Sequence, residues 1–194
     1  MQPAEPRRRK ARPVAARLKK TVVLVGMMGA GKSAIGTGLS KRLGVPFRDS
    51  DAEIELAADR TIAEIFERDG EAFFRDRESE VISRLLDGRP AILSTGGGAF
   101  LAERNRRMIH ERGVSILLKA DVELLWNRVK HKTNRPLLRT PNPRATLEAI
   151  YAERAPIYAK ADLAVQARSE YAISEMVEQV VKALRSRPDV LEDC

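Results

Sequence analysis

The segment Gly26-Met-Met-Gly-Ala-Gly-Lys-Ser33 follows directly on the apolar run Thr21–Val25 and precedes a helix-like stretch over 34–43. A buried strand, a glycine-rich turn and a helix start are the setting in which GxxxxGK[ST] cradles phosphate. Gly26, Gly29 and Gly31 let the backbone wrap closely, so that the N–H groups from Gly29 and Ala30 through Gly31, Lys32, Ser33 and Ala34 can point at an anion. The helix N-terminus adds its partial positive charge. Lys32 supplies a point charge for the β- and γ-phosphates, and the Ser33 hydroxyl suits Mg²⁺. A chance octet in a structural turn is the alternative, and the strand-turn-helix context argues against it. This spacing reads as a nucleoside triphosphate site, a P-loop.

Two more segments carry chemistry at the predicted carboxyl ends of strands, where open α/β sheets take their ligands. Asp49-Ser50-Asp51 ends the apolar run 45–49, and Ser94-Thr95-Gly96-Gly97-Gly98 ends the run 91–95. Two carboxylates one residue apart can divide metal binding from hydroxyl activation, although the same tripeptide also reads as a helix N-cap. Three consecutive glycines weaken a strand end unless backbone must come close to something. A substrate contact is therefore favoured there over a plain turn. Arg75 and Glu78 lie i,i+3 on a helical stretch, so their side chains meet, either as a surface pair or as an anion-binding arginine held by a carboxylate. Segment 131–143 is basic, proline-punctuated and aperiodic. Long loops of this kind in α/β domains are usually functional, which suggests a lid over about 127–142; a variable surface loop is the alternative. His110 and His131 are not spaced like metal ligands or catalytic bases.

These groups need a scaffold, and the apolar pattern supplies one. Short apolar runs at 21–25, 45–49, 91–95, 114–119 and 163–166 alternate with helical stretches, which implies a parallel sheet covered on both faces. Thr61-Ile-Ala-Glu64 is a capping box, Asn142-Pro143 a helix start, and Pro188 a helix stop. The 194 residues suit one domain, and 43% apolar content is ordinary for a globular protein. No apolar run approaches the ~18 residues needed to span a membrane.

The net charge of +8 invites a nucleic-acid reading, so its location matters. Residues 1–20 hold eight basic side chains against one acid, which leaves +1 for the remaining 174 residues. The high charge belongs to the N-terminus, and the expected organisation is a disordered basic tail over 1–20, a domain over 21–187 and a short C-terminal tail over 188–194. A nucleic-acid or anionic-surface contact through the tail and an organelle transit peptide are the alternatives. The lone cysteine, Cys194, and the lack of an apolar leader segment fit a reducing, cytoplasmic location.

Taken in order, GMMGAGKS, DSD, Gly70-Glu-Ala-Phe-Phe-Arg75-Asp-Arg-Glu78, STGGG, Arg135-Pro-Leu-Leu138 and Arg154-Ala-Pro-Ile-Tyr158 closely resemble the shikimate kinase family across about residues 20–185. The P-loop by itself indicates only a superfamily; the six segments together are specific. The resemblance implies a nucleoside-monophosphate-kinase-like fold: a five-stranded parallel sheet with helices on both faces, a lid and a helical substrate-binding region. It implies ATP and shikimate as substrates, a monomer, and Lys32, Asp51 and Arg135 as catalytic residues. Asp51 would contact the ring hydroxyls as the base, Arg75 and Arg154 would grip the shikimate carboxylate, and Glu78 would position Arg75. Gly97 and Gly98 would meet substrate through backbone, Arg135 in the lid would reach phosphate, and Arg128 would stack on adenine. Ser33 and Asp49 would hold Mg²⁺. Another small-molecule kinase of the same fold, such as a gluconate kinase, would share the P-loop but not the Phe-Arg-x-x-Glu, triple-glycine and Arg154 segments. A non-catalytic nucleotide-binding protein is disfavoured because no expected catalytic position is missing.

Overall fold

A computed structural model describes residues 16–193. In chain order its elements are β1 Ala16–Leu18, β2 Thr21–Val25, α1 Lys32–Leu43, β3 Phe47–Asp49, α2 Ser50–Ala58, α3 Ile62–Leu86, β4 Ile92–Ser94, α4 Glu103–Arg112, β5 Gly113–Lys119, α5 Val122–Val129, α6 Pro143–Tyr158, β6 Leu163–Gln166, α7 Ile173–Arg185 and β7 Leu191–Asp193. Five of the strands form one parallel sheet in the order β3-β4-β2-β5-β6, as the alternating pattern predicts. All of β2 and the first six residues of β5 are buried, because helices cover both faces. The order places β3 and β4 on one side of β2 and β5 and β6 on the other. The crevice beyond the carboxyl end of β2 is thus the point where the winding reverses, and the P-loop opens into it.

Local chemistry sets the helix ends that frame this crevice. Gly31 takes φ 97° as the N-cap of α1, a conformation that is strained for any side chain. Thr61 accepts from the Glu64 N–H while Glu64 reaches back to the Thr61 N–H, the capping box read from sequence. Asn142 caps α6, with Pro143 in its first turn. Helices α2 and α3 form a lobe with a small core of its own, Ile54, Ile65, Phe74 and Val81. Gly70, at φ 83° and ψ 171°, breaks α3 inside that lobe.

The chain ends differ from the expected pair of tails. Residues 16–18 and 191–193 pair as a two-stranded antiparallel ribbon, with Leu18 opposite Leu191 and both buried. Lys19 pairs with Glu192 at 3.2 Å and Lys20 with Asp189 at 3.0 Å, so two charges of the basic block are matched by the C-terminus. The described fold begins at residue 16 rather than 21; the tail expectation for residues 1–15, and Cys194, lie outside the described residues. Deleting residues 1–20 should lower Tm by several degrees relative to deleting 1–15, because it removes the partner of β7 and about 1.5–3 kcal/mol of Leu18 burial. Comparing the two melts checks this; coincident melts would mean that the ribbon contributes nothing. Among the described residues, no helix is long and apolar enough to cross a membrane.

Candidate active site

The crevice is a continuous cleft of ≈ 1180 Å³ that runs from the P-loop to the α2–α3 lobe. At its nucleotide end Lys32 is partly buried, and its Nζ donates to the carbonyls of Gly26 (2.7 Å) and Met27 (3.1 Å). Burial, and then the nearby Arg135, lower its pKa to about 8, while Asp51 and Asp49 oppose the shift. Arg128 donates from α5 to the carbonyls of Gly29 (3.1 Å) and Ala30 (3.3 Å), which ties the cradle to that helix. A Cβ on Gly29 would fall 2.8 Å from Val129 Cγ1, so the loop packs against α5 at a distance that only glycine permits. Ser33 and Ala34 line the cleft at the start of α1, and Arg128 borders it as well.

Asp49 and Asp51 leave the end of β3 in different roles. Asp49 Oδ1 accepts the N–H groups of Asp51 (3.0 Å) and Ala52 (3.1 Å), which makes Asp49 the N-cap of α2. Asp49 also lines the cleft, as Ser33 does, so the capping and metal-binding readings are compatible. A serine hydroxyl with one carboxylate, completed by phosphate and water, is a donor set that suits Mg²⁺. Asp51 faces the cleft half-buried. Burial raises its pKa to about 6, and Asp49, Glu78 and Glu55 add to the effect.

The three glycines after β4 now have a physical reason. A Cβ on Gly96 would fall 2.8 Å from Asp51 Oδ1, one on Gly97 3.4 Å from Arg154 Nη1, and one on Gly98 2.7 Å from Arg75 Nη1. Each glycine makes room for a different charged side chain: one carboxylate and two guanidinium groups meet over three residues of bare backbone. Arg75 is held from below by Glu78, at 2.8 Å. Glu78 is 1% exposed; burial raises its pKa, and the pairing with Arg75 opposes that. Arg135 also borders the cleft. Its Nε and Ser50 Oγ are the buried side-chain polar atoms without a partner among the described residues. An orphaned guanidinium donor in such a cleft fits an anionic oxygen.

Some neighbours of the site were not singled out in the sequence. Ile62, Phe66 and Phe74 form its apolar wall, and the rings of Phe66 and Phe74 lie 4.7 Å apart, tilted by 38°. Tyr158 donates to the Gly97 carbonyl from behind the glycine turn. Asn105, fully buried, donates to the Ala99 carbonyl (2.9 Å) and accepts from Ser79 (2.7 Å), which joins that turn to α3.

A sequence profile of the shikimate kinase family matches residues 28–185. The chain belongs to the shikimate kinase family. The shikimate kinase of Ruegeria pomeroyi is 67% identical to it over 178 residues, 92% of this chain and 91% of that protein. The shikimate kinase of Cereibacter sphaeroides is 63% identical over 193 residues, 97% of this chain and 96% of that protein. Among solved structures, the shikimate kinase of Acinetobacter baumannii in complex with shikimate aligns with a TM-score of 0.79 and 36% identity, over 86% of this chain and 93% of that one. Membership in the shikimate kinase family makes the chain a transferase that uses ATP, and the sheet order above is its P-loop kinase fold.

Proposed function

We propose that the cleft transfers the γ-phosphoryl group of ATP to the 3-hydroxyl of shikimate, giving shikimate 3-phosphate and ADP. The observation that carries this reading is the meeting of Asp51, Arg75 and Arg154 on the triple-glycine turn, in the same cleft that the P-loop opens into. A carboxylated ring with hydroxyls needs this set: a cationic fork at one end and an acceptor at the other.

The geometry supports the following division of labour. The P-loop backbone and Lys32 hold the phosphates, with Arg128 bracing the loop and bordering the nucleotide space. Arg75 and Arg154 take the carboxylate, and the Gly97 and Gly98 backbone lies against the ring. Asp51 orients the attacking hydroxyl and accepts its proton late, as the new O–P bond forms and the bond to the ADP oxygen breaks. Arg135 comes in from the lid segment, about 127–142, to neutralise charge on the transferring group, and closure excludes water as a competing acceptor. Ser33 and Asp49 would hold Mg²⁺, which would neutralise phosphate charge when bound. We place the enzyme in the cytoplasm as a monomer.

The two shifted groups set the pH dependence. Asp51 works ionised, so kcat/KM for shikimate should fall as pH drops through about 6. Lys32 works charged, so the same constant should fall as pH rises through about 8. Bound triphosphate favours the charged lysine, so the alkaline limb of kcat should lie higher than that of kcat/KM. A profile flat from pH 5 to 7 would remove Asp51 from the base role. The function itself is tested by coupled ADP release with shikimate, with gluconate and without an acceptor. Turnover dependent on shikimate is expected, and equal or greater turnover of gluconate would overturn the assignment.

A further inference from the structure

The acceptor side of the cleft depends on a turn with little rigidity of its own. Two of its three glycine carbonyls are fixed by backbone: Gly96 O accepts the Ala99 N–H and Gly98 O the Leu101 N–H, each at 3.1 Å. Gly97 O is held by a side chain, the Tyr158 hydroxyl. Glycine on both sides of a peptide leaves that peptide free to rotate at small cost. The C=O and N–H of a planar trans peptide point in opposite directions. Fixing Gly97 O toward Tyr158 therefore turns the Gly98 N–H away from Tyr158. Tyr158 is 2% exposed and does not line the cleft, whereas Gly97 and Gly98 do.

We propose that Tyr158 is a positioning residue for the acceptor: its hydroxyl locks the Gly97–Gly98 peptide so that the Gly98 N–H stays presented to the substrate. The surroundings of Tyr158 suit a rigid clamp. Its ring stacks on Phe100 with centroids 6.5 Å apart. Burial pushes its hydroxyl pKa above the ordinary value, so it remains a donor across the working pH range. It stands four residues after Arg154 on α6, hence on the same helical face. A Cβ on Gly97 would lie 3.7 Å from the Tyr158 hydroxyl and 3.4 Å from Arg154 Nη1. One turn of helix thus supplies both a cation for the substrate and the clamp for the backbone beside it. Asn105 holds the next carbonyl of the turn, Ala99 O, from the opposite element.

This inference rests on the reading of the cleft as the shikimate site, and two measurements separate them. Tyr158→Phe removes the hydroxyl and keeps the ring on Phe100. The expected result is a KM for shikimate raised by roughly five- to tenfold, the worth of one neutral hydrogen bond, with the KM for ATP unchanged. In the protein without substrate, the Gly98 amide should shift in ¹H–¹⁵N spectra and exchange its hydrogen faster than in the wild type. A Tyr158→Phe protein with an unaltered Gly98 amide would overturn the clamp even if its shikimate KM rises, because the hydroxyl also lies against Arg154. So would parallel losses toward ATP and shikimate with a lowered Tm, which mark a residue of the scaffold alone. Absence of shikimate turnover by the wild type would sink the functional reading, and the Gly98 amide would still decide the clamp.

Discussion

Lys32→Ala is expected to abolish phosphoryl transfer while the protein stays folded. In a loose transition state, charge gathers on the transferring group and the leaving oxygen, and fixed cations are worth most there. Lys32 stands where the P-loop meets the cleft, with Arg135, Arg154, Asp51 and Asp49 close enough to shift its proton affinity. Removing it should cost several kcal/mol of barrier, a loss on the order of a thousandfold or more in kcat. The structure adds a second effect. Lys32 Nζ holds the Gly26 and Met27 carbonyls, but its pKa, lowered from 10.5 to about 8, means that the buried charge itself destabilises the native state at pH 7. The two effects oppose each other, so Tm should stay close to wild type, and circular dichroism should still report the native fold. A folded Lys32→Ala protein releasing ADP at near wild-type rate would overturn the assignment of the P-loop as the working nucleotide site.

Much of this site was legible because its chemistry lies where simple patterns end. The five apolar runs gave the sheet, and the P-loop, Asp49-Ser50-Asp51 and the glycine turn follow three of them directly. What the sequence could not give was who meets whom. Three glycines in a row announce a close approach, but that Asp51, Arg154 and Arg75 each claim one of them depends on α2, α6 and α3 converging from distant parts of the chain. Tyr158 is readable as part of a motif, yet its partner is a backbone carbonyl 61 residues away. Asn105 sits in Glu103–Arg112, a helix so charged that it reads as solvated, and is nevertheless fully buried because Ser79 and Ala99 satisfy its amide. The ribbon of β1 and β7 was missed for a related reason. Its three-residue strands carry Arg17, Glu192 and Asp193, and a charged terminus gives no sign of a strand whose partner lies at the other end of the chain. Asp49 shows that two readings of one residue need not compete: the residue that caps α2 also lines the cleft.

The discrimination of shikimate from other polyols should divide between the two ends of the acceptor site. Arg154→Ala leaves Arg75 in place, held by Glu78, but would remove half of the proposed cationic grip on the carboxylate. Truncating one partner of a charge-assisted contact in a closed site costs about 2–5 kcal/mol, so kcat/KM for shikimate should fall at least thirtyfold with ATP affinity little changed. Asp51→Asn keeps the shape and removes the acceptor charge, and should lower kcat by roughly a hundredfold or more. The same variant carries a stability signature of opposite sign. The folded pKa of Asp51, about 6, lies above its ordinary value of 3.8, so the ionised carboxylate destabilises the native state at pH 7. That penalty develops as pH rises from 3.8 to about 6 and is absent below this window. Asp51→Asn should therefore raise Tm by a few degrees at pH 7 and leave it close to wild type near pH 3.5, a gain in stability at the expense of activity. Kinetics and melts on the two variants test both halves together. If Arg154→Ala raises the KM for ATP and spares that for shikimate, Arg154 belongs to the nucleotide end; if Asp51→Asn melts at the wild-type temperature at both pH values, its carboxylate carries no desolvation strain and the acid limb of the rate profile needs another owner.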